Sequence, residues 1–249
     1  MTAHIGIVAC SAEGAALCYR TLCAEGPALL GAAHAHPEIT LHTPSLDGYV
    51  RCLEAGDWDG VAALMLASAE ILARAGADFL ICPDNTLHAA LPRVAPRSPR
   101  PWLHIAEVVA DEAVARGCRR LALLGTRWLV DSDVYPEALR ARGLACVRPA
   151  PAERDAVSRV IMDELVPARP TAAGTATLLA VIERLKRGEG CDAAVLGCTE
   201  LPLVIDDACS ALPTLDSTRL LARAALRKAL KGPAGHCAGA PPRSPTAPR

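Results

Sequence analysis

Short, almost wholly apolar runs alternate with longer amphipathic segments through the chain to about residue 230. Examples are "ADFLIC" (77–82), "RLALLGT" (120–126) and "CDAAVLGC" (191–198), and apolar residues at helical spacing follow these runs. A strand without a polar face is typical of a parallel sheet that is covered on both sides. The alternation therefore predicts an α/β fold with parallel sheets and right-handed crossovers.

The longest predicted helix is "DWDGVAALMLASAEILARAG" (57–76), for which Asp57 is the predicted N-cap and Gly76 the predicted stop. Further helices are predicted at 13–23, 105–117, 134–143, 153–166, 175–188 and 217–230, and further strands at 4–9, 38–43 and 144–149. The last residues, 232–249, contain five prolines and little to bury, so we expect them to be disordered.

Charge and cysteine usage exclude several classes of protein. The 249 residues carry a net charge of −1, and no basic segment is dense enough to favour nucleic acid as a partner. The apolar run in "MTAHIGIVAC" is too short for a signal peptide or a membrane helix. The eleven cysteines include no CxxC pair, and their odd number and the lack of a signal peptide favour free thiols. We therefore expect a cytoplasmic protein that contacts neither nucleic acid nor membrane.

Two segments of the chain resemble each other. "GADFLICPDNTLH" (76–88) and "GCDAAVLGCTELP" (190–202) both run from Gly through Asp and an apolar strand into a polar turn. When they are aligned without a gap, Asp84 aligns with Cys198. The match is short and is also compatible with two unrelated βα units. If it is a true repeat, it implies two similar domains whose strand ends face each other across a cleft.

The turn "LGCTELP" (196–202) is the sharpest candidate for chemistry. Cys198 follows the strand, where N–H groups at a helix start are expected to lower the pKa of its thiol and make it a base or nucleophile. Thr199 adds a hydroxyl, and Glu200 is placed to orient the thiol or a substrate amine. The structural alternative is a buried Cys, a structural Thr and a capping Glu.

The turn "PDNT" (83–86) and two other strand ends offer groups that bind an anion. Asn85 and Thr86 are neutral donors for a carboxylate, although a simple turn with Asp84 as N-cap remains an alternative. Ser11 and Thr126 follow two further strands and offer hydroxyl and N–H groups. No phosphate-binding glycine pattern occurs in these loops, so no nucleotide cofactor is indicated.

Three histidines, His34, His36 and His42, lie close together in the sequence. No carboxylate lies at metal-ligand spacing from them, so a metal site is not favoured. The chain also lacks the GxSxG pattern of serine hydrolases and the HExxH pattern of zincins.

With "LGCTELPL", "NTLH", "WLHIAEVVADEA" and "LALLGTRWLVDSDVYPEALRARGL", and further on "IMDELV" and "PTLDSTRLLARAAL", the chain resembles the aspartate/glutamate racemase superfamily, which includes hydantoin racemases. The resemblance spans nearly all of the chain to about residue 230. It implies two Rossmann-like domains related by a pseudo-two-fold, with the active site between them and usually a homodimer. The implied domains are 1–97 with 218–231, and 98–217.

The resemblance also implies a mechanism without pyridoxal phosphate or another cofactor. Two acid/base groups, commonly cysteines, act on opposite faces of the substrate Cα. Cys198 matches the second, and the position of the first is occupied by Asp84. Cys82 lies two residues earlier on the same side of the strand and remains the alternative. "ACSAEG" replaces the usual glycine-rich loop, so that Cys10 and Ser11 are expected to line the pocket.

The leading hypothesis is an amino-acid racemase or epimerase with a small amino acid or related carboxylate as substrate. Cys198 and Asp84 serve the two faces, while Ser11, Asn85 and three further residues, Thr86, Thr126 and Thr199, hold the substrate. One essential cysteine would also suit a decarboxylase or a cis–trans isomerase of a small diacid. A binding protein that has lost turnover is a third hypothesis.

Overall fold

The computed structural model describes residues 2–232, and its two parallel sheets confirm the predicted fold class. The strands are Ile5–Val8 (β1), Ile39–His42 (β2), Phe79–Ile81 (β3), Arg120–Leu124 (β4), Ala145–Val147 (β5), Ala193–Leu196 (β6) and Thr214–Asp216 (β7). The helices are Ala12–Leu30 (α1), Leu46–Glu54 (α2), Trp58–Arg74 (α3), Leu91–Val94 (α4), Ile105–Ala115 (α5), Arg127–Val130 (α6), Val134–Arg140 (α7), Pro151–Arg159 (α8), Ala172–Glu189 (α9) and Ser217–Leu230 (α10). A π-helical segment, Val160–Leu165, continues α8, and short 3₁₀ segments cover Thr86–Ala90, Ala95–Arg97 and Leu201–Leu203.

The two sheets share one strand order. β1 lies between β2 and β3 in the first sheet, and β4 lies between β5 and β6 in the second, with β7 beyond β6. Trp102 forms a parallel bridge beside β3, in the place that β7 takes beside β6. Phe79 pairs with Ile5, and Ala193, its counterpart in the sequence repeat, pairs with Leu121. The sequence repeat therefore reflects a shared architecture.

Both faces of each sheet are covered, which explains the continuous apolar strands. In β1, Val8 packs in a core with Met65 of α3. Its neighbour Ile7 packs on the opposite face with Leu22 of α1 and Leu226 of α10. Burial of each such side chain contributes about 1.5–3 kcal/mol. The strands thus have apolar neighbours on both sides, and polar side chains are left for the strand ends.

The longest predicted helix begins and ends at the residues that the sequence indicates. Asp57 caps α3 by accepting a hydrogen bond from the Gly60 N–H at 2.8 Å. The chain leaves the helix at Ala75, and Gly76 then takes a left-handed φ of 98°, a conformation that favours glycine. Helix α2 and strand β7 were not predicted from the sequence. In β7 only Leu215 is apolar, so the segment lacks the apolar run that indicates strands such as β3 and β6.

The C-terminal helix packs against α1 and α5. Its contacts with α1 agree with a first domain of residues 1–97 and 218–231 and a second of 98–217, a division that stays a prediction. The disorder predicted for 232–249 concerns residues that lie, from 233 onward, outside the described part of the chain. Among the helices at residues 2–232, none is both long and apolar enough to cross a membrane.

Candidate active site

The carboxyl ends of strands from both sheets enclose a small cavity of about 50 Å³. We call the residues that follow β1 and β3 the first wall (Cys10, Ser11, Asp84, Asn85 and Thr86). Those that follow β4 and β6 form the second wall (Thr126, Gly197, Cys198, Thr199 and Glu200). The remaining lining residues form the apolar lining (Leu46, Val50, Leu53, Trp128, Ile161, Met162 and Val166). All but one of the predicted site residues therefore meet in one place.

Cys198 and Glu200 form a thiol–carboxylate pair in the second wall. The Cys198 thiol donates to Glu200 Oε2 at 2.9 Å, and the Thr199 hydroxyl donates to the same oxygen at 2.7 Å. Glu200 is 2% exposed, whereas Cys198 keeps accessible surface where it faces the cavity. Gly197 brings the turn close to β4, since its N–H donates to the Leu124 carbonyl at 2.8 Å.

The pKa of the Cys198 thiol is raised well above its usual value, first by burial and then by the negative charge of Glu200. The expectation of a lowered pKa was therefore wrong. Backbone N–H groups do act at this turn, but burial and the neighbouring carboxylate outweigh them. The resting thiol is protonated, and its thiolate is a strong base once formed.

Asp84 of the first wall faces the cavity and also stabilises the turn that follows it. Its Oδ1 accepts hydrogen bonds from the N–H groups of Thr86 at 3.0 Å and Leu87 at 3.4 Å. The turn interpretation of Asp84 and the active-site interpretation are thus compatible. Burial, and next the charge of Glu200, raises the pKa of Asp84 to about 6. An aspartate with such a pKa can give and take a proton near neutral pH.

Asn85 links the two domains through both ends of its amide. Its Oδ1 accepts from the Tyr135 hydroxyl at 2.6 Å, and its Nδ2 donates to Ser217 Oγ at 2.9 Å. Ser217 in turn donates to the Leu196 carbonyl at 2.7 Å. The side chain of Asn85 is thus engaged within the protein, although it was predicted to bind substrate. Tyr135 and Ser217 were missed because nothing local in the sequence indicates these long-range partners.

Hydroxyl groups join the two walls directly. Ser11 Oγ lies 3.1 Å from Thr199 Oγ1, and Thr86 Oγ1 lies 3.1 Å from Thr126 Oγ1. Gly14 permits this approach, because a Cβ there would lie 2.4 Å from the Thr199 side chain. The walls therefore bring four hydroxyl groups together beside Asp84 and Cys198.

Cys82 does not line the cavity. Its side chain is fully buried in the core on the α3 side of the first sheet, with Tyr49 and Met65, and its sulfur lies 3.7 Å from the Asp84 carbonyl. Burial, and then the charge of Asp84, raises the pKa of this thiol well above its usual value. The surroundings of Cys82 favour a structural thiol, which leaves Asp84 as the candidate for the first face.

The three histidines that lie close together in the sequence have separate surroundings in the structure. His36 contacts the Pro37 carbonyl, and His42 contacts Ser68, while His34 is exposed. Within residues 2–232, no group of three or more His, Cys, Asp or Glu side chains is arranged to hold a metal ion.

The apolar lining was missed from the sequence. Leu46, Val50 and Leu53 belong to α2, and Ile161 and Met162 belong to the π-helical segment. In that segment the Val166 N–H donates to the Ile161 carbonyl at 2.9 Å, a five-residue spacing that periodicity alone does not indicate.

Comparisons with known proteins agree on one family. The model of a family described as Asp/Glu/Hydantoin racemase matches residues 7–225. The broad specificity amino-acid racemase RacX of Bacillus subtilis (strain 168) is 27% identical over 169 residues, which are 67% of this chain and 71% of RacX. An aspartate racemase homologue from Pyrococcus horikoshii OT3 has a structure similar to this one, with a TM-score of 0.77, 27% identity, and coverage of 92% of this chain and 100% of that one.

A structure from Yersinia pestis, of a protein proposed to be an Asp/Glu racemase, has a TM-score of 0.82 and 28% identity, with coverage of 92% of this chain and 99% of that one. These matches confirm the predicted two-domain α/β fold and the predicted enzyme class, an amino-acid racemase. The chain therefore belongs to the Asp/Glu/hydantoin racemase family.

Proposed function

We propose that the protein interconverts the enantiomers of a small amino acid by moving the Cα proton between two opposed groups, Cys198 and Asp84. The observation that carries this proposal is their placement. Asp84 follows β3 and Cys198 follows β6, which are equivalent strands of the two sheets, and both line one cavity. Two such groups present one acid/base function to each face of a bound Cα.

Cys198 works with Glu200. In the resting site the thiol donates to the Glu200 carboxylate, which holds it in place. The thiolate is present when the one proton that Cys198 and Asp84 carry between them lies on Asp84. The thiolate then removes the Cα proton from one face. In the reverse direction the thiol returns the proton to the carbanion. The raised pKa of Cys198 makes its thiolate basic enough for this weak carbon acid.

Asp84 serves the opposite face. A carboxylate of ordinary pKa is a weak base, but burial raises the pKa of Asp84 to about 6. As a neutral acid it delivers a proton to the carbanion that Cys198 forms. As a carboxylate it starts the reaction from the other enantiomer. The active enzyme therefore carries one proton on the Asp84–Cys198 pair, whichever enantiomer it binds.

The substrate's charged groups find complementary partners. The hydroxyl groups of Ser11, Thr86, Thr126 and Thr199 become neutral donors for the α-carboxylate when it replaces the hydrogen bonds that they form with each other and with Glu200. The buried carboxylate of Glu200 compensates the α-ammonium group. Because these donors are neutral, the α-carboxylate is bound by hydrogen bonds alone, without a Lys or Arg side chain that neutralises its charge.

The apolar lining points to an amino acid with a small apolar side chain. Among the described residues that line the cavity, none is Lys, Arg or His, whereas seven are apolar side chains of the apolar lining. A side-chain carboxylate would enter a space that already holds Asp84 and Glu200, and it would remain unpaired there. The small volume of the cavity favours a short side chain over a long one.

The test is incubation of single enantiomers of alanine, 2-aminobutyrate, valine, aspartate and glutamate with the enzyme in deuterated water. Proton NMR follows loss of the Cα signal, and chiral chromatography follows inversion. We expect inversion with deuterium incorporation for the small apolar amino acids, and slower inversion of aspartate and glutamate. A preference for aspartate or glutamate would overturn the substrate class. Absence of Cα exchange across the panel would overturn the racemase activity, and release of CO₂ would favour decarboxylation.

A further inference from the structure

Cys10 is a cavity thiol that the mechanism above does not use. It follows β1, is 5% exposed and lines the cavity next to Asp84. The strand register accounts for this neighbourhood. Ile7 of β1 pairs with Ile81 of β3, and Cys10 and Asp84 each lie three residues beyond that pair. The fold therefore brings the thiol and the carboxylate to matching positions on adjacent strand ends.

The two side chains are neighbours in the cavity wall. Cys10 lowers the pKa of Asp84, against the larger effect of burial. Burial, and then the charge of Asp84, raises the pKa of Cys10 well above its usual value. The Cys10 thiol stays protonated for this reason, and an ionised carboxylate accepts hydrogen bonds only. In a hydrogen bond between the two side chains, Cys10 is therefore the donor.

Cys10 has no capping role at its strand end. Ser11, not Cys10, caps α1 by accepting from the Gly14 N–H at 3.3 Å. In the second sheet the equivalent place beside Cys198 holds Thr126, which does cap a helix, since it accepts from the Leu129 N–H at 3.4 Å. The thiol at position 10 is therefore not explained by the local structure of the strand end.

We propose that Cys10 is a positioning residue that donates to the Asp84 carboxylate and keeps it directed at the first face of the substrate. The inference rests on the proposed function. The two walls then contain the same two groups in opposite order. Thiol Cys198 faces the cavity with carboxylate Glu200 behind it, whereas carboxylate Asp84 faces the cavity with thiol Cys10 beside it.

The first test compares Cys10→Ala and Cys10→Ser with the wild type. Loss of the donor in Cys10→Ala is expected to lower kcat by about 10–100-fold with a smaller change in KM, because the carboxylate loses its orientation. It also shifts the acid limb of the pH profile to higher pH, since the carboxylate loses a hydrogen bond. Cys10→Ser keeps a donor and is expected to recover part of the loss. Cys18→Ala, which removes a fully buried thiol of α1 outside the cavity lining, is the matched control.

The second test exchanges the two groups. Asp84→Cys alone places two thiols side by side, whereas the double variant Cys10→Asp with Asp84→Cys restores a thiol–carboxylate pair in reversed order. The double variant is expected to be at least about tenfold more active than Asp84→Cys, a non-additive effect of paired residues. Thermal unfolding confirms that each variant is folded.

The outcomes separate the two proposals. Wild-type kcat and a wild-type pH profile in Cys10→Ala, with racemisation intact, would overturn the role of Cys10 and leave the proposed function standing. If the wild type exchanges no amino acid, the proposed function fails, and the role of Cys10 is decided by carbon-13 NMR titration of the Asp84 carboxyl. A higher pKa in Cys10→Ala supports the contact, and an unchanged pKa overturns it.

Discussion

The two walls of the cavity occupy equivalent places in two equivalent sheets, yet they are chemically unequal. The second wall presents a thiol with a strongly raised pKa, backed by Glu200. The first wall presents Asp84, a carboxyl with a pKa of about 6. A symmetric fold therefore supports an asymmetric proton transfer. The residues that follow two equivalent strands can differ without any change in the strands themselves.

The asymmetry has a consequence for turnover. In the free enzyme the more stable form has ionised Asp84 and neutral Cys198. The reason is that the pKa of Asp84 is about 6, whereas burial raises the pKa of the Cys198 thiol well above its usual value. Reaction of one enantiomer leaves the less stable form, neutral Asp84 and thiolate Cys198. The equilibrium constant of racemisation is one, so kcat/KM must be equal for the two enantiomers. The separate kcat and KM values are expected to differ.

The largest effect is expected at the second wall. Cys198→Ser replaces a thiol by a hydroxyl, which is a far weaker acid, and we expect loss of about 10³-fold or more of kcat for both enantiomers. Chiral chromatography of a single enantiomer measures it. Cys209→Ser, at an exposed thiol outside the cavity, is the control and should keep wild-type activity. A loss of tenfold or less in Cys198→Ser would exclude Cys198 as the acid/base group.

Asp84→Asn tests the first wall with a nearly isosteric side chain. The amide oxygen can still accept from the Thr86 and Leu87 N–H groups, but it carries no transferable acid proton. We expect a loss of about 10²–10³-fold in kcat. In the wild type, kcat/KM should fall for both enantiomers below a pH near 6, because the doubly protonated pair is inactive. Equal activity of Asp84→Asn and the wild type would contradict the assignment.

The same substitution is expected to stabilise the fold. The pKa of Asp84 is raised from 3.8 to about 6 in the folded protein, so the folded state binds the proton more tightly than the unfolded state. Its favourable contribution is present below pH 3.8 and is lost as the pH rises through 6. Above that pH, Asp84→Asn should raise the unfolding free energy by about 1–3 kcal/mol.

Thermal denaturation at several pH values measures this effect. The gain in Tm should be largest at pH 7–8 and should shrink towards pH 4. A destabilised Asp84→Asn at pH 8 would show that ionised Asp84 is held by favourable contacts that outweigh its burial.

The smallest effect is expected at Cys82. Cys82→Ala removes a core thiol that does not line the cavity, so we expect kcat within about twofold of the wild type and a stability loss of about 1 kcal/mol. Chemical denaturation and the same racemase assay check both values. If Cys82→Ala abolished activity while Asp84→Asn kept it, the first-face assignment would have to move to Cys82.

The sequence predicted the architecture and most of the site, for identifiable reasons. Apolar strands with no polar face require helices on both sides. The gapless alignment of residues 76–88 with residues 190–202 places Asp84 opposite Cys198 without any structure. The polar groups at strand ends were predictable because parallel strands end at one edge of a sheet.

Other features depend on distant contacts or on the surroundings of a group. Tyr135 and Ser217 meet Asn85 only because the two domains fold together, and no local pattern encodes that meeting. The raised pKa of Cys198 was predicted with the wrong sign, because burial and Glu200 outweigh the turn's N–H groups. Burial depends on the whole fold, whereas the turn's own N–H groups can be read from the sequence.

Face-specific exchange tests the central claim, that the two walls serve opposite faces of Cα, most directly. Each enantiomer of the best substrate is incubated in deuterated water with Cys198→Ser and with Asp84→Asn, and proton NMR follows the Cα signal. We predict that each variant exchanges the Cα proton of one enantiomer only, that the two variants choose opposite enantiomers, and that neither inverts its substrate. Exchange of the same enantiomer by both variants, or inversion by either at the wild-type rate, would contradict the account.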